Sequence, residues 1–496
     1  MLSFFYKSIS NSFFDRLVST KAMADDQDKQ VTQEINKAIN FLGQNKFIEA
    51  ENTCLKIIES GKNADAFHIL SSIKIYQQEF DDSIKYVKKS IDINSKNPGY
   101  HVTLGCAYSA KKDYESSVLA FSDAIKINSK VAQVHFYLGE SYRKLKKYND
   151  AISSFYTTTE LSPDHTGAYM LLGVVYQEKK QFDLSIQSFQ KCIEIMPDYA
   201  EAHLNLGLCY LLIGDYENGW REYEWRRKLY KTPDDTLSIE WSGQNLENKT
   251  LLVLDEGSNE NLIHFIRFIR ELKKENCRVI VKCTDEAQTL IDYQRWIDAS
   301  FTGVDYPEHD FYIPIGSIMN VLKYNPNHHK QNFPYIEIDR ENTTKDNSGN
   351  INIGVVFETD RASNAHDDES IHPSFLRNIF TENHNVICLD KYITKETLPE
   401  YCNEVINYSN LKELSQALCK LDLIITVDHI VAHLAGALNI DTILLLPCVP
   451  NWRWDMNFRD TSVWYKSFKV IRQQIPGDWS DVMVKLNIYI SELKSG

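Results

Sequence analysis

The sequence predicts an α-solenoid followed by an α/β module of two doubly wound lobes. Two observations carry this reading. One set of residues recurs every 34 positions through the first half, as stacked helical hairpins require. From Thr250 onward the pattern becomes short apolar runs alternating with amphipathic helical stretches, as parallel sheets require. Size agrees: 496 residues suit two to four domains. With 43% apolar and 25% charged residues, the chain has enough material for real cores.

Composition also excludes several classes. Asp plus Glu number 68 against 54 Lys plus Arg, a net charge of −14, which speaks against nucleic acid as a partner because phosphate neutralisation needs clustered cations. No apolar stretch approaches the ~20 residues of a membrane helix, so no span is expected. The ten cysteines form no C-x-x-C pair, and the closest two are Cys277 and Cys283. Reduced, buried thiols in a cytoplasmic protein are expected, with no zinc site. Residues 1–30 read as a flexible extension. Phe4, Phe5, Phe13 and Phe14 mix there with Lys7, Arg16 and Lys21, without the apolar core of a secretory signal. An organelle-targeting helix, a plain extension and a true start at Met23 all remain open.

The solenoid is expected over 31–230. Leu104-Gly105 with Tyr108, Leu138-Gly139 with Tyr142, Leu172-Gly173 with Tyr176 and Leu206-Gly207 with Tyr210 set the period, and Leu70-Ser71 is a weaker copy. Phe121, Phe155, Phe189 and Tyr223 repeat in step, with Ser117, Ala151, Ser185 and Gly219 four residues before them. Pro163 and Pro197 stop second helices, and a degenerate unit from Val31 to Ser60 caps the start. This pattern resembles the tetratricopeptide repeat. The small residue lets the two helices of a hairpin approach, and the aromatics fill the space between hairpins. The resemblance implies a concave groove for a protein or peptide partner. The asparagine ladder of the O-linked N-acetylglucosamine transferases is matched only at Asn205, the other positions being Ile69, Thr103, Tyr137 and Leu171. Trp220, Trp225, Arg226 and Arg227 mark a capping helix that packs on the next domain, and 231–249 reads as a linker.

Strands are expected at Leu251–Leu254, Arg278–Cys283 and Phe311–Ile315, with a helix over Asn261–Lys274. A polar stretch from Asp339 to Asn350 separates the lobes 250–345 and 346–496. The second lobe offers strands at Ile351–Phe357, Asn385–Asp390, Leu421–Val427 and Thr442–Leu446, and helices at Ile430–Leu438 and Asp478–Leu493. Doubly wound lobes bind ligands at the carboxyl ends of their strands. Leu421–Val427 runs into a helix whose first-turn N–H groups suit an anion. The segment LDLIITVDHIVAHLAGALNIDTILLLP, with NWRW, WYKSFKVIRQ and GDW after it and GDYENGWREYEWR before, resembles bacterial tetratricopeptide-linked glycosyltransferases. Those proteins have the GT-B fold and are similar to the ADP-heptose:lipopolysaccharide heptosyltransferases. The resemblance covers roughly 200–490 and is densest at 421–479. It implies a nucleotide-sugar substrate held by Asp428, His429, His433, Ala435, Gly436 and Arg453, with no separate cofactor and no metal.

The chain departs from that family at three places. The family's EQGLGD-like loop is Glu256-Gly257-Ser258-Asn259-Glu260-Asn261 here, so its catalytic aspartate has become an amide, which cannot act as a general base. Glu256, Glu260 and Asn261 are the candidate catalytic positions, and the two carboxylates are equally well read as helix N-terminal charges. Glu358 follows the strand where the family has Trp-x-Gly. Glu369-Ser370, preceded by Asp367 and Asp368, replaces an Arg-Ser pair near the donor phosphates, and Arg361 is the nearest compensating cation in sequence. His429 and His433, spaced i, i+4, are not read as a metal face. The chain's D-x-D triplet, Asp26 to Asp28, lies in the tail, and His328-His329 lies in a polar loop. Two functions follow: transfer of a sugar from a nucleotide donor to a protein recruited by the solenoid, or a degenerate pseudoenzyme serving as an interaction scaffold.

Overall fold

The computed structural model describes residues 26–229, 239–273, 276–329, 332–339, 350–358, 370–391, 393–456 and 460–493. Most of the N-terminal extension, the side chain of Asp28, Arg361 and the Asp367-Asp368-Glu369 stretch lie outside the described residues. The chain divides into two compact units, Met1–Pro197 and Asp198–Gly496.

The first unit consists of helical hairpins: α1 (Asp26–Gly43) with α2 (Phe47–Ser60), α3 (Ala64–Tyr76) with α4 (Phe80–Ile93), and α5 (Pro98–Ala110) with α6 (Tyr114–Ile127). They continue as α7 (Ala132–Lys144) with α8 (Tyr148–Leu161), and α9 (Thr166–Glu178) with α10 (Phe182–Ile195). The repeat glycine is dictated by the ring packed on it. A Cβ at Gly105, Gly139 or Gly173 would stand 2.6, 2.6 or 2.4 Å from Phe121, Phe155 or Phe189. Where Ser71 takes the glycine's place, the ring shrinks to the buried Val87, and Ser71 bonds Ser83 at 2.8 Å. Ser117 and Ser185 donate to the Gly105 and Gly173 carbonyls at 2.9 and 2.7 Å, tying the two helices of their hairpins. The first helices of neighbouring hairpins pack on one another and line the inner face. Bonds between residues 35 positions apart run along it: Tyr100 to Asp65 at 2.6 Å, His68 with Thr103 at 2.8 Å and Arg143 to Glu178 at 2.9 Å.

The second unit begins with α11 (Ala200–Leu212), α12 (Tyr216–Tyr223) and the short α13 (Arg226–Leu229). The 34-residue period assigns this hairpin to the solenoid, yet by its contacts it belongs to the unit that follows. Trp220 Nε1 donates to the Tyr324 carbonyl at 2.8 Å, and the Met456 N–H to the Leu212 carbonyl at 2.9 Å.

Two parallel sheets follow. The first contains β1 (Ile239–Glu240), β2 (Thr250–Leu254), β3 (Arg278–Lys282), β4 (Ala299–Phe301) and β5 (Phe311–Pro314), in the order β1-β5-β2-β3-β4. The stretch expected as a linker therefore holds an edge strand, followed by the buried Trp241. The second contains β6 (Ile351–Val355), β7 (His384–Cys388), β8 (Glu404–Val405), β9 (Leu423–Thr426), β10 (Thr442–Leu446) and β11 (Phe468–Arg472), in the order β11-β10-β9-β6-β7-β8. Strand order reverses between β2 and β5 and between β6 and β9, as in doubly wound sheets, where ligands bind beyond the carboxyl ends at the reversal.

The helix expected over Asn261–Lys274 is broken into α14 (Asn259–Phe265), a 3-10 turn and α15 (Ile269–Leu272). The remaining helices are α16 (Asp285–Asp292), α17 (Ile318–Val321), α18 (Leu411–Leu418), α19 (Ile430–Leu438) and α20 (Ser480–Glu492). The two lobes meet where α14 packs on α19 and α16 on α18. All ten cysteines are free, and all but Cys419 are buried. Among the described residues no helix is long and apolar enough to cross a membrane.

Candidate functional site

The first reversal point is filled by the chain itself. Glu256 leaves β2 and accepts from Arg226 through Nε at 2.8 Å and Nη2 at 3.0 Å, while the Gly316 N–H reaches its Oε2 at 2.9 Å. Arg226 is buried and also donates to Glu224 and Ser317. A Cβ at Gly316 would stand 2.6 Å from Glu256 Oε2, so a larger residue there would have to displace the pair. Arg227 holds Glu240 of β1 through two bonds of 2.8 Å. Sequence reasoning saw two arginines on a capping helix but had no means of pairing them with residues 13 and 30 positions away.

The substituted loop residues have structural partners. Ser258 caps α14 by accepting from the Asn261 N–H at 3.2 Å and donates to Glu260 at 3.3 Å. Asn259 links Thr284 at 2.7 Å to Glu286 at 3.0 Å. Asp255, next to Glu256, has its pKa raised to about 6 by burial, against the pull of backbone N–H groups at Glu256, Gly257 and Ser258.

The second reversal point gathers the residues expected to hold a donor. Asp428 is half-buried just beyond β9. His429 is buried and caps α19, its Nδ1 accepting from the Val431 N–H at 3.2 Å. An imidazole thus satisfies one of the free N–H groups at this helix terminus. His433 bonds Tyr465 OH through Nδ1 at 2.8 Å, lies 3.8 Å from Asp428 through Nε2, and stacks on Trp454. Ala435 is buried, and a Cβ on Gly436 would come within 2.1 Å of the Tyr465 ring. Asp390, beyond β7, accepts from the Phe357 N–H at 2.9 Å. Burial raises its pKa to about 6, and the Phe357 and Glu358 N–H groups and His429 hold it down.

Arg453 joins the two halves of the candidate site. Its guanidinium is buried, donates to Asn451 at 3.0 Å and to Asn261 Oδ1, and lies over the Trp452 ring. Two residues chosen from sequence for different roles are therefore bonded to each other. Sequence reasoning missed the buried cluster behind them. Tyr465 OH also meets His264 Nδ1 at 3.2 Å, so one hydroxyl bridges two buried imidazoles. Arg267 donates to Tyr335 OH at 2.9 Å and to the Trp464 carbonyl at 2.9 Å. Burial and the nearby Arg267 and Arg453 push the His264 pKa well down, keeping the ring neutral. The available signal was the polar pair His264 and Arg267 inside the otherwise apolar run 262–269. A cavity of about 460 Å³ is lined by Arg267, Arg270, Tyr324, His329, Phe333 and Tyr335 among others, none of them chosen from sequence. Among the described residues no group of three His, Cys, Asp or Glu side chains is placed to hold a metal.

Two family models described as tetratricopeptide repeat match residues 102–166 and 166–199. Residues 102–199 are tetratricopeptide repeats. Solved structures similar to the repeat region include MamA from Desulfovibrio magneticus RS-1, at 21% identity and TM-score 0.31, covering 34% of this chain and 94% of that one. YrrB, described as a tetratricopeptide protein with an unusual peptide-binding site, matches at 20% identity and TM-score 0.32, covering 36% and 97%. Pseudomonas aeruginosa PilF matches at 16% identity and TM-score 0.38, covering 42% and 96%. No curated protein matches the chain.

Proposed function

We propose that the chain is a protein-interaction scaffold. In this reading its tetratricopeptide solenoid captures a peptide segment of a partner, and its α/β unit is a GT-B-like module no longer organised for sugar transfer. One observation carries the reading: several residues that the family resemblance assigns to donor binding or catalysis are engaged by other groups of the chain. Arg453 is bonded to Asn261 and Asn451, the α19 terminus is capped by His429, and Glu256 is paired with Arg226. Preformed donors aimed at empty space are what phosphate binding needs, and here both terminal nitrogens of Arg453 and the Val431 N–H are spent on protein acceptors. The peptide-binding site described for YrrB gives the groove reading its precedent.

A second reading, transfer of a sugar from a nucleotide donor to the captured protein, draws on Asp428 and Glu260. Both are half-buried beyond the carboxyl ends of strands. Thermal-shift titration with UDP-, GDP-, CMP- and ADP-sugars separates the two, because a ligand of the native state at 100 Kd stabilises by about 2.7 kcal/mol. The scaffold reading expects no shift from any of them. A shift that disappears in Asp428→Ala sinks it and establishes donor binding instead.

A further inference from the structure

The inner face of the solenoid joins its polar side chains in pairs 35 residues apart, one first helix to the next. Glu140 on α7 has no such partner. The residues 35 positions before and after it are Gly105 and Val175, whose side chains cannot bond. Its Oε2 is buried without a hydrogen-bond partner. Arg143, one turn along α7, is bonded to Glu178 at 2.9 Å, and among the described residues no cation is paired with Glu140. Burial lifts its pKa to about 7 although Arg143 and Lys144 favour the charged form. Beside this carboxylate runs an apolar strip: Phe136 lies one turn back on α7, and Val102 and Met170 stand 34 positions on either side of Phe136. All three are half-buried.

We propose that Glu140 reads charge in the captured segment, receiving the ammonium or guanidinium of a Lys or Arg whose apolar neighbours lie along Val102, Phe136 and Met170. The proposal rests on the reading of the inner face as a peptide groove. An arriving cation supplies the missing partner through a charge-assisted bond. A neutral side chain would cover the carboxylate and leave it unpaired, and an acidic one would be repelled, so discrimination comes from the cost of the wrong partner as well as the gain from the right one. The aliphatic stem of either basic residue suits the strip while its charged head reaches the carboxylate.

Selection of a random dodecapeptide phage library on the immobilised full chain tests this. The expected pool carries Lys or Arg at one position between apolar residues. Synthetic peptides from it should bind Glu140→Gln about tenfold or more weakly, while replacing the basic residue by norleucine should remove the difference between the two proteins. Circular dichroism and melting confirm that the variant is folded. A pool without basic bias, or one bound equally by Glu140→Gln, overturns the role of Glu140 and leaves the groove reading standing. No enrichment over bare support overturns the groove reading itself.

Discussion

Glu140 gives the solenoid a pH signature whose sign follows from burial. An ordinary glutamate ionises near 4.5, and this one near about 7. Between those values the folded chain keeps a proton that the unfolded chain has released, so stability is full below pH 4.5, falls as pH rises and levels off above about 7. The groups facing Glu140 do not reverse this: burial raises the Cys106 thiol to about 12 and lowers the Lys144 ammonium from its ordinary value. Glu140→Gln should flatten the slope, raising stability at pH 8 by about 1–3 kcal/mol and changing little at pH 4. Urea titrations of both proteins at the two pH values check this, and an unchanged slope in the variant would refute it. The glycine–ring pairs make a second prediction at this scale. Gly139→Ser should cost about 1–3 kcal/mol by driving a side chain into Phe155, and Phe155→Val a similar amount by opening a cavity. Because Ser71 and Val87 coexist in the earlier repeat, the double variant should cost less than the sum, and additive losses in a double-mutant cycle would contradict this. These pairs were legible because a single period fixed both members. The bond between Arg453 and Asn261 was not, since 192 residues separate them and no local pattern links them.

Among the elements, legibility followed the strength of the apolar pattern. Ile430–Leu438 and Thr442–Leu446 were read to the residue, because a fully buried strand and helix leave runs that are apolar but for His433 and Thr442. β1 has two residues and no run, and it is held by Arg227 and by pairing with β5 instead. The α14–α15 break was hidden because a 3-10 turn keeps nearly the same apolar spacing as the helices flanking it. The hairpin turns escaped notice for another reason. Gln78, Lys112, Lys146 and Lys180 are left-handed, with φ of 63, 64, 56 and 59°, and the usual glycine appears only at Gly214. The element with most at stake is α13, whose Arg226 sits among Glu256, Glu224 and Ser317. Arg226→Met should leave Glu256 without its cation, while Glu224 keeps Arg227 at 3.8 Å, and destabilise the second unit by about 3–5 kcal/mol. Adding Glu256→Gln should recover part of that loss. Hydrogen exchange across residues 250–257 would localise the effect, and full protection there in Arg226→Met would show that the pair does not anchor β2.

The chain as a whole makes its hairpin of α11 and α12 serve two descriptions, repeat by sequence and α/β by packing. The same residues that break the repeat pattern explain the change. Trp220 replaces a smaller side chain and bonds the Tyr324 carbonyl, Arg226 enters the first reversal point, and Arg227 clamps the edge strand. A fold boundary drawn by period alone at 230 therefore cuts through a buried cluster, and the division into compact units falls between Pro197 and Asp198 instead. Expression of two truncations turns this into a measurement. Residues 198–496 should melt cooperatively, as one compact unit does. Residues 230–496 lose Trp220, Arg226 and Arg227 together, leave Glu256 uncompensated beside Gly316 and expose the aromatic surface around Trp452. Losing the Arg226 pair alone, at about 3–5 kcal/mol, lowers the midpoint by roughly 10 °C or more in a domain of this size, and the lost tryptophan burial adds to it. The shorter fragment should accordingly melt far lower or aggregate. Coincident melting curves would mean that the hairpin merely rests on the α/β unit, and the assignment of Arg226 as its internal plug would fall with it.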